Sequence, residues 1–510
     1  MLRSPAEDHL AKCEMTESIV TEQNMAECSM AECDMTEDDM TEGDMTEGDM
    51  TERDMTERDM TEGDMIESPQ EKDRTAFGSC ALDGLAKDHT TMNTTDSHAQ
   101  TVAHITDYAE KLHAGITLER SVIVARIDDA LFAIAHTEAR GAGTKKHVLI
   151  HNVLFLGEQE LRATNELVCV VFALVPNARF VIWTESFHSR AVAQEFTCIP
   201  PVLDDLAQIV GVKALVLDVL NKTRLQKALA KSAGCLIKSG SEGMGSIAAG
   251  ESISRTATTA LVLEKSARVF KDAQYLGGAK PINRIEAKLM HLVFKKKYSQ
   301  IESRVIHQTS EDFSREIPPE EMELRQEIVE AGRQLLARNL VQGTWGNISV
   351  QLDDRFMLVT PTGLEYDLLS PYDIVRVDMH SMEYEGSLRP TSEKLIHATL
   401  LKEKLDVRSV IHTHPVSGSI YAAARSSLKV ADENSRKLMG GNVTVARYAL
   451  PGSKRLASTV LDAIQENKSC IMENHGVLVC GASLSDALEK CALLEQLAEA
   501  QIQRIAPEKL

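Results

Sequence analysis

The sequence predicts an α/β protein: two tandem layered domains behind an acidic, low-complexity tail. Three observations carry that prediction. Negative charge is concentrated at one end of the chain, two distant stretches can be laid on each other at nearly constant offsets, and both alternate helical with strand-like hydrophobic periods.

The tail comes first. The chain has 510 residues and a formal net charge of −21, yet residues 1–74 alone hold 24 Asp and Glu against 6 Lys and Arg, so the remainder is nearly neutral. From Met15 onward a five-residue unit recurs, clearest as Asp-Met-Thr-Glu-Gly and Asp-Met-Thr-Glu-Arg between Asp34 and Met65. A step of five residues turns a helix through about 500° and alternates faces on a strand, so the methionines never gather on one side. Like charges also repel along this stretch, and the expectation is a disordered tail. Residues 75–100, rich in Thr, Ser, Asp and His, read as the linker, which makes 1–100 a tail and linker together.

Composition excludes several classes. The longest unbroken apolar run, Leu167–Val175, is nine residues and stops at Pro176, well short of the roughly 18 that a membrane span needs. Acidic residues and no apolar segment at the N-terminus argue against a secretory leader, and the chain reads as cytoplasmic. Ten cysteines without a Cys-x-x-Cys pair fit reduced thiols better than a disulfide framework or a thiolate zinc site. With no excess of cations in the globular part and only 21 aromatic residues, nucleic-acid binding is disfavoured.

The two copies follow from the offsets. Residues 182–211 lie on 411–440 at an offset of 229, pairing Ile182-Trp-Thr-Glu with Ile411-His-Thr-His. Ile127-Asp-Asp pairs with Leu352-Asp-Asp at 225, Cys235-Leu-Ile-Lys with Cys470-Ile-Met-Glu, and Gly250-Glu-Ser with Gly481-Ala-Ser. The pairings keep their order and the offsets change only in loop-like stretches, so two copies of one domain are expected, at 101–310 and 320–510. Helical periods such as Glu323–Asn339 and Leu484–Ile502 alternate with short apolar strands such as Phe356–Val359 and Ser409–Ile411, the pattern of helices covering a sheet.

The chemistry lies in the second copy. Ser409-Val-Ile-His-Thr-His-Pro reads as a strand end, and residues two apart on a strand share a face, so His412 and His414 can reach one ion. His475, in Glu473-Asn-His-Gly, offers a third imidazole. Three imidazoles with an open fourth position form the ligand set of a catalytic zinc. Pro390-Thr-Ser-Glu-Lys reads as a helix start, with Thr391 and Ser392 as hydroxyl caps and Glu393 in the first turn beside a natural phosphate site. Gly343-Thr-Trp-Gly-Asn-Ile-Ser and Thr360-Pro-Thr-Gly are turns that can present amides, hydroxyls and the Asn347 carboxamide to an anion.

Taken in order, Gly343-Thr-Trp-Gly-Asn, Thr360-Pro-Thr-Gly, Arg389-Pro-Thr-Ser-Glu, His412-Thr-His-Pro and Asn474-His-Gly resemble the class II aldolase and adducin family over about 320–505. The resemblance implies layered α/β/α class II aldolase-like domains. It places zinc on His412, His414 and His475, and the substrate phosphate on Thr344, Asn347, Thr362, Gly363, Thr391 and Ser392. Glu393 becomes the acid/base, and Glu rather than Asp there looks like the aldolase branch. The implied activity is a zinc-dependent aldehyde-lyase cleaving a phosphorylated ketose through a metal-stabilised enediolate. A dehydratase or epimerase of a sugar phosphate, or a non-catalytic adducin-like scaffold, are the other possibilities the family offers. The tyrosine that fucose-type aldolases draw from a neighbouring subunit would fall near Asp432-Glu433, where none stands, and the longer tyrosine-bearing tail of those enzymes has no counterpart before Leu510. Ring-like tetramers in similar proteins imply a homo-oligomer here, a dimer forming a pseudo-tetramer.

The offsets set the first copy apart. His412 meets Trp183, His414 meets Glu185, Asn347 meets Val122, and the Asn-His-Gly turn becomes a glycine-rich loop at 239–245 without histidine. This copy is expected to be catalytically silent and to wall the active one. Glu185, His188 and that loop are the residues left to any different site.

Overall fold

The computed structural model describes residues 94–115, 117–140, 147–239, 243–298, 313 and 315–506. The acidic repeat, and with it the expected tail, lies outside the described residues. A helix, Thr94–Gly115, begins inside the expected linker. Its polar first turns read as linker, but Ile105, Ala109 and Leu112 recur at helical spacing and are buried.

In the first half the strands are β1 (Arg120–Arg126), β2 (Leu131–Arg140), β3 (His147–Ile150), β4 (Leu154–Gly157), β5 (Phe180–Glu185), β6 (Cys198–Ile199), β7 (Ala214–Asp218), β8 (Gly234–Ser239) and β9 (Gly245–Gly250). They are ordered β3-β2-β1-β5-β9-β8-β7-β6, with β4 also on β2. The second half has β10 (Asn347–Gln351), β11 (Phe356–Val359), β12 (Val375–Asp378), β13 (Ser409–Thr413), β14 (Thr444–Ala446), β15 (Ser469–Met472) and β16 (Gly476–Gly481). Their order is β12-β11-β10-β13-β16-β15-β14.

Along β2-β1-β5-β9-β8-β7 and along β11-β10-β13-β16-β15-β14 every step is antiparallel except the last, which is parallel in both. Hydrophobic periodicity had left strand direction open. Register agrees as well: Val122 faces Trp183 where Asn347 faces His412. Likewise Cys235 faces Ile247 where Cys470 faces Leu478.

Alternate strand residues enter different cores, as the pleat requires. In the second half Ile411, Val477 and Val479 face one side, where the helices Pro319–Ala337, Val416–Ala424 and Leu484–Ile505 pack. Val410, Leu478 and Cys480 face the other, under Lys394–Glu403 and Lys454–Ile464. The final helix buries Ala487, Leu488, Cys491 and Leu494 on the face its spacing predicted.

The halves are not separate cores. All nine residues of Val416–Ala424 are buried, because the first half's helix Ile253–Asp272 packs on the side its own sheet does not cover. Val262, Leu263 and Ala267 of the first half join Ile420, Tyr421 and Ala423 of the second in one apolar cluster.

Candidate metal centre

Strand β13 ends at Thr413, so His412 is its penultimate residue and His414 is the first beyond it, ahead of Pro415. Strands β15 and β16 meet in a tight turn that carries His475. Asn474 takes the left-handed conformation, φ 57°, to make that turn. Gly476 has no room for a side chain, since a Cβ would stand 2.5 Å from Thr413 O and 3.1 Å from the His412 ring. The three imidazoles are 1%, 4% and 4% exposed. Their ring centroids lie 4.6, 4.8 and 5.1 Å apart, and one ligand atom from each falls within 4.8 Å of the others. Among the described residues no other group of His, Cys, Asp and Glu comes together in this way.

The tautomer of His412 follows from its partner: Nδ1–H donates to Val477 O at 2.9 Å, which turns the Nε2 lone pair inward. That nitrogen lies 2.8 Å from His414 Nε2 and 3.3 Å from Glu393 Oε2. His475 Nε2 lies 3.4 Å from Glu393 Oε1. Burial, with His412 and His475 nearby, holds His414 well below the usual imidazole range. Burial also pushes His475 down to about 4, against the pull of Glu393. Near neutral pH these two rings are therefore uncharged and turn lone pairs toward one centre, while Glu393 Oε1 has no hydrogen-bond donor. That donor set fits a divalent cation, and the three imidazoles can hold one.

Glu393 is buried in spite of its charge. Burial alone would raise its pKa, but His412, His475 and the Asn347 amide outweigh that and hold it at about 2. Asn347 Nδ2 donates to Glu393 Oε2 at 2.9 Å, and Asn347 Oδ1 accepts from His397 Nε2. Ser349 Oγ lies 2.6 Å from His397 Nδ1 and closes the chain as donor. His397 had no expected role; its place one helical turn beyond Glu393 was the signal that could have found it.

One expectation is corrected here. The helix runs Lys394–Glu403 with Glu393 itself as N-cap, so Thr391 and Ser392 do not cap it and Glu393 is outside the first turn. Thr391 Oγ1 instead accepts from Glu393 N at 3.3 Å in a tight turn, which aims the carboxylate at the imidazoles. Asn347 spends one of its two Nδ2 hydrogens on Glu393 and its Oδ1 on His397. Its cross-strand pairing with His412 puts it on the carboxylate's side of the sheet.

The other phosphate candidates are partly gathered. Pro361 and Pro390 form an isolated bridge, Thr362 N and Oγ1 donate to Arg389 O and Pro390 O, and Thr391 N donates to Thr360 O. Thr362, Gly363, Thr391 and the exposed Ser392 thus share one edge. Thr344 is half-buried in the turn ahead of β10, and among the described residues no hydrogen bond ties it to the rest.

The first half reaches this centre directly. Asp204 N donates to Asn474 O at 2.7 Å, and Asn474 Nδ2 donates to Val202 O and Lys280 O at 2.9 and 2.6 Å. Asp204 Oδ2 lies 3.6 Å from His475 Nδ1, Asp205 Oδ2 lies 4.0 Å from His414 Nδ1, and Lys265 Nζ donates to Asp205 Oδ2 at 2.7 Å. Sequence reasoning missed all three residues. The two residues it did single out in the first half are occupied elsewhere: Glu185 pairs with Arg120 and Arg190, and His188 lies 3.3 Å from Asp272. The loop at 239–245 is only partly within the described residues.

The family model described as the class II aldolase and adducin N-terminal domain matches residues 326–502. The 5-methylthioribulose-1-phosphate/5-deoxyribulose-1-phosphate aldolase of Rhodospirillum rubrum is 32% identical over 183 residues, which cover 36% of this chain and 82% of that protein. The chain belongs to the class II aldolase and adducin family. Relatives in the family differ in chemistry: the 3-oxo-tetronate 4-phosphate decarboxylase of Haemophilus influenzae is 31% identical over 180 residues, 34% of this chain and 83% of its own length. A solved L-fuculose 1-phosphate aldolase matches at 28% identity and a TM-score of 0.35, covering 37% of this chain and 89% of its own. The family residues 326–502 contain every ligand and carboxylate candidate of the second half, while Asp204, Asp205 and Lys265 lie outside them.

Proposed function

We propose that this chain is a zinc-dependent aldehyde-lyase acting on a phosphorylated ketose. The observation that carries the reading is Glu393: a buried carboxylate held by Asn347, with one oxygen left free of donors, facing two of three convergent imidazoles. His412, His414 and His475 would hold the ion. When bound, a divalent cation supplies Lewis-acid stabilisation of the negative charge that carbon–carbon cleavage leaves on the substrate's oxygens. Glu393 Oε1 would take and return the proton, and the Ser349–His397–Asn347 chain would keep the carboxylate oriented while it does so. Thr344, Asn347, Thr362, Gly363, Thr391 and Ser392 would seat the phosphate.

The test is metal analysis of wild type beside His412→Ala and His475→Ala, then a screen of phosphorylated four- to six-carbon ketoses for aldehyde release. Wild type purified without a tightly held transition metal would sink the reading. A second reading, a decarboxylase, epimerase or dehydratase on a sugar phosphate, draws on the decarboxylase named among the Haemophilus relatives, and the same screen separates it by product. Against a scaffold stands the cost of burying a carboxylate among imidazoles that serve nothing else.

The first half reads as a degenerate copy of the same domain that walls the second. Its support is the shared strand order, direction and register. Two chains would then form a pseudo-tetramer; an active monomer in light scattering would remove that part.

A further inference from the structure

A histidine that ligates a metal through Nε2 carries its proton on Nδ1, and in a buried site that proton needs an acceptor. His412 has one in Val477 O. For His414 and His475 no hydrogen-bond partner of Nδ1 is present, although both rings are buried. What faces those two atoms is one carboxylate each, and both come from the half that has no metal ligands. Asp204 Oδ2 is 3.6 Å from His475 Nδ1, and Asp205 Oδ2 is 4.0 Å from His414 Nδ1. Asp204 and Asp205 are 0% and 1% exposed, and the Tyr448 hydroxyl stands beside Asp204 as a side-chain donor. Two orphaned ring nitrogens thus meet two buried carboxylates, slightly beyond hydrogen-bond range.

We propose, on the basis of the metal reading above, that Asp204 and Asp205 are positioning residues that accept the Nδ1 protons of His475 and His414 once a divalent ion occupies the three Nε2 atoms. The half without the three clustered imidazoles thereby fixes the tautomer and orientation of two ligands of the other half.

Three further observations agree. The backbone holds the pair in place, since Asp204 N is bonded to the carbonyl of Asn474, the residue before His475. Lys265, itself buried, anchors the second carboxylate at 2.7 Å, while Asp205 Oδ1 accepts from Leu206 N at 2.8 Å. Charge also favours a cation: Asp204 is buried and crowded by Asp205 and Glu393, which makes its charged form costly until a divalent ion stands among them.

The experiment compares zinc affinity by chelator competition, and the visible absorption of the Co²⁺-loaded protein, in wild type, Asp204→Asn, Asp205→Asn and Lys111→Ala. Lys111 joins the halves through Glu365 and Asp367, away from the imidazoles. Loss of a carboxylate that orients a metal-ligating histidine lowers affinity by about 10–100-fold. That loss, with a shifted Co²⁺ spectrum, is expected for each Asn variant and not for Lys111→Ala. Asn variants that hold zinc as tightly as wild type with an unchanged spectrum overturn this inference alone. Wild type that binds no divalent ion overturns it together with the metal reading. Where the Asn variants do not fold, ¹⁵N-imidazole spectra of zinc-loaded wild type decide: slowly exchanging protons on Nδ1 of His414 and His475 support the inference, and ligation through Nδ1 overturns it.

Discussion

Two sheets of this chain share strand order, direction and register, yet one ends in three imidazoles and the other in an indole. Where β13 presents His412 across from Asn347, β5 presents Trp183 across from Val122. Gly476, pressed against His412 and His414, corresponds in register to Gly245, where a Cβ would stand 2.1 Å from the Trp183 ring. The indole therefore fills the space that the imidazole cluster occupies in the other half. The turn differs as well: seven residues separate Ile237 from Gly245, where three separate Met472 from Gly476. The same half nonetheless brings Asp204, Asp205 and Lys265 up to its neighbour's imidazoles.

The contrast can be broken most severely by removing the first half. Residues 315–510 expressed alone should be insoluble or molten and should hold no metal, because Val416–Ala424 loses the helix that covers it. Solubility and near-UV circular dichroism check this, and a folded, zinc-binding fragment would show the halves to be independent. Next in size, Glu393→Gln should retain metal while turnover falls by about 10²–10⁴-fold, the usual contribution of a general acid/base. A rate unchanged on the substrate found in the aldehyde screen would remove Glu393 from that role.

Asn474→Ala sharpens the junction between the halves. It abandons two carbonyls of the first half and a left-handed backbone position, at a cost of about 3 kcal/mol in urea unfolding. Each half also contains a neutral imidazole, half-buried at His113 and buried at His397. Burial lowers His113 to about 4, and burial with the opposing pull of Glu393 leaves His397 at about 3. An unfolded chain takes up those protons near the ordinary histidine value, while the folded chain resists until its own lower values. Stability should therefore fall as the pH drops from about 7 toward 4, by at most about 1.4 kcal/mol per pH unit for each proton. Urea unfolding across that window reads it, and His113→Asn and His397→Asn should each flatten the slope. The smallest effect belongs to Glu185→Gln. This residue is the register counterpart of His414 and sits in partly buried ion pairs with Arg120 and Arg190 that remain open to solvent on the arginine side, so stability should change by about 1 kcal/mol and zinc content not at all.

Much of this was legible beforehand, where local periodicity or spacing decides the outcome. The helix over Leu484–Ile505 and the strands at Phe356 and Ser409 follow from the recurrence of apolar residues. His412 and His414 two apart at a strand end, with His475 before a glycine, named the three rings that converge. The start of the helix at Lys394 was misjudged because hydroxyl residues favour caps on average, whereas Thr391 is tied by its own N–H to Thr360 O. The glycine-rich turn pointed to an anion beside Asn347, while its pairing with His412, which brings its carboxamide to Glu393, could not be read from the turn.

The sequence by itself determined the strands, the helices, the repeated order of elements and the identity of the imidazoles, because each depends on residues close in the chain or on a pattern stated twice. Only the tertiary structure decided that Asp204, Asp205 and Lys265 stand behind His475 and His414. No periodicity links position 204 to position 475. Their meeting depends on how two sheets pack through a shared apolar core, which is a property of the assembled surfaces and of no single segment.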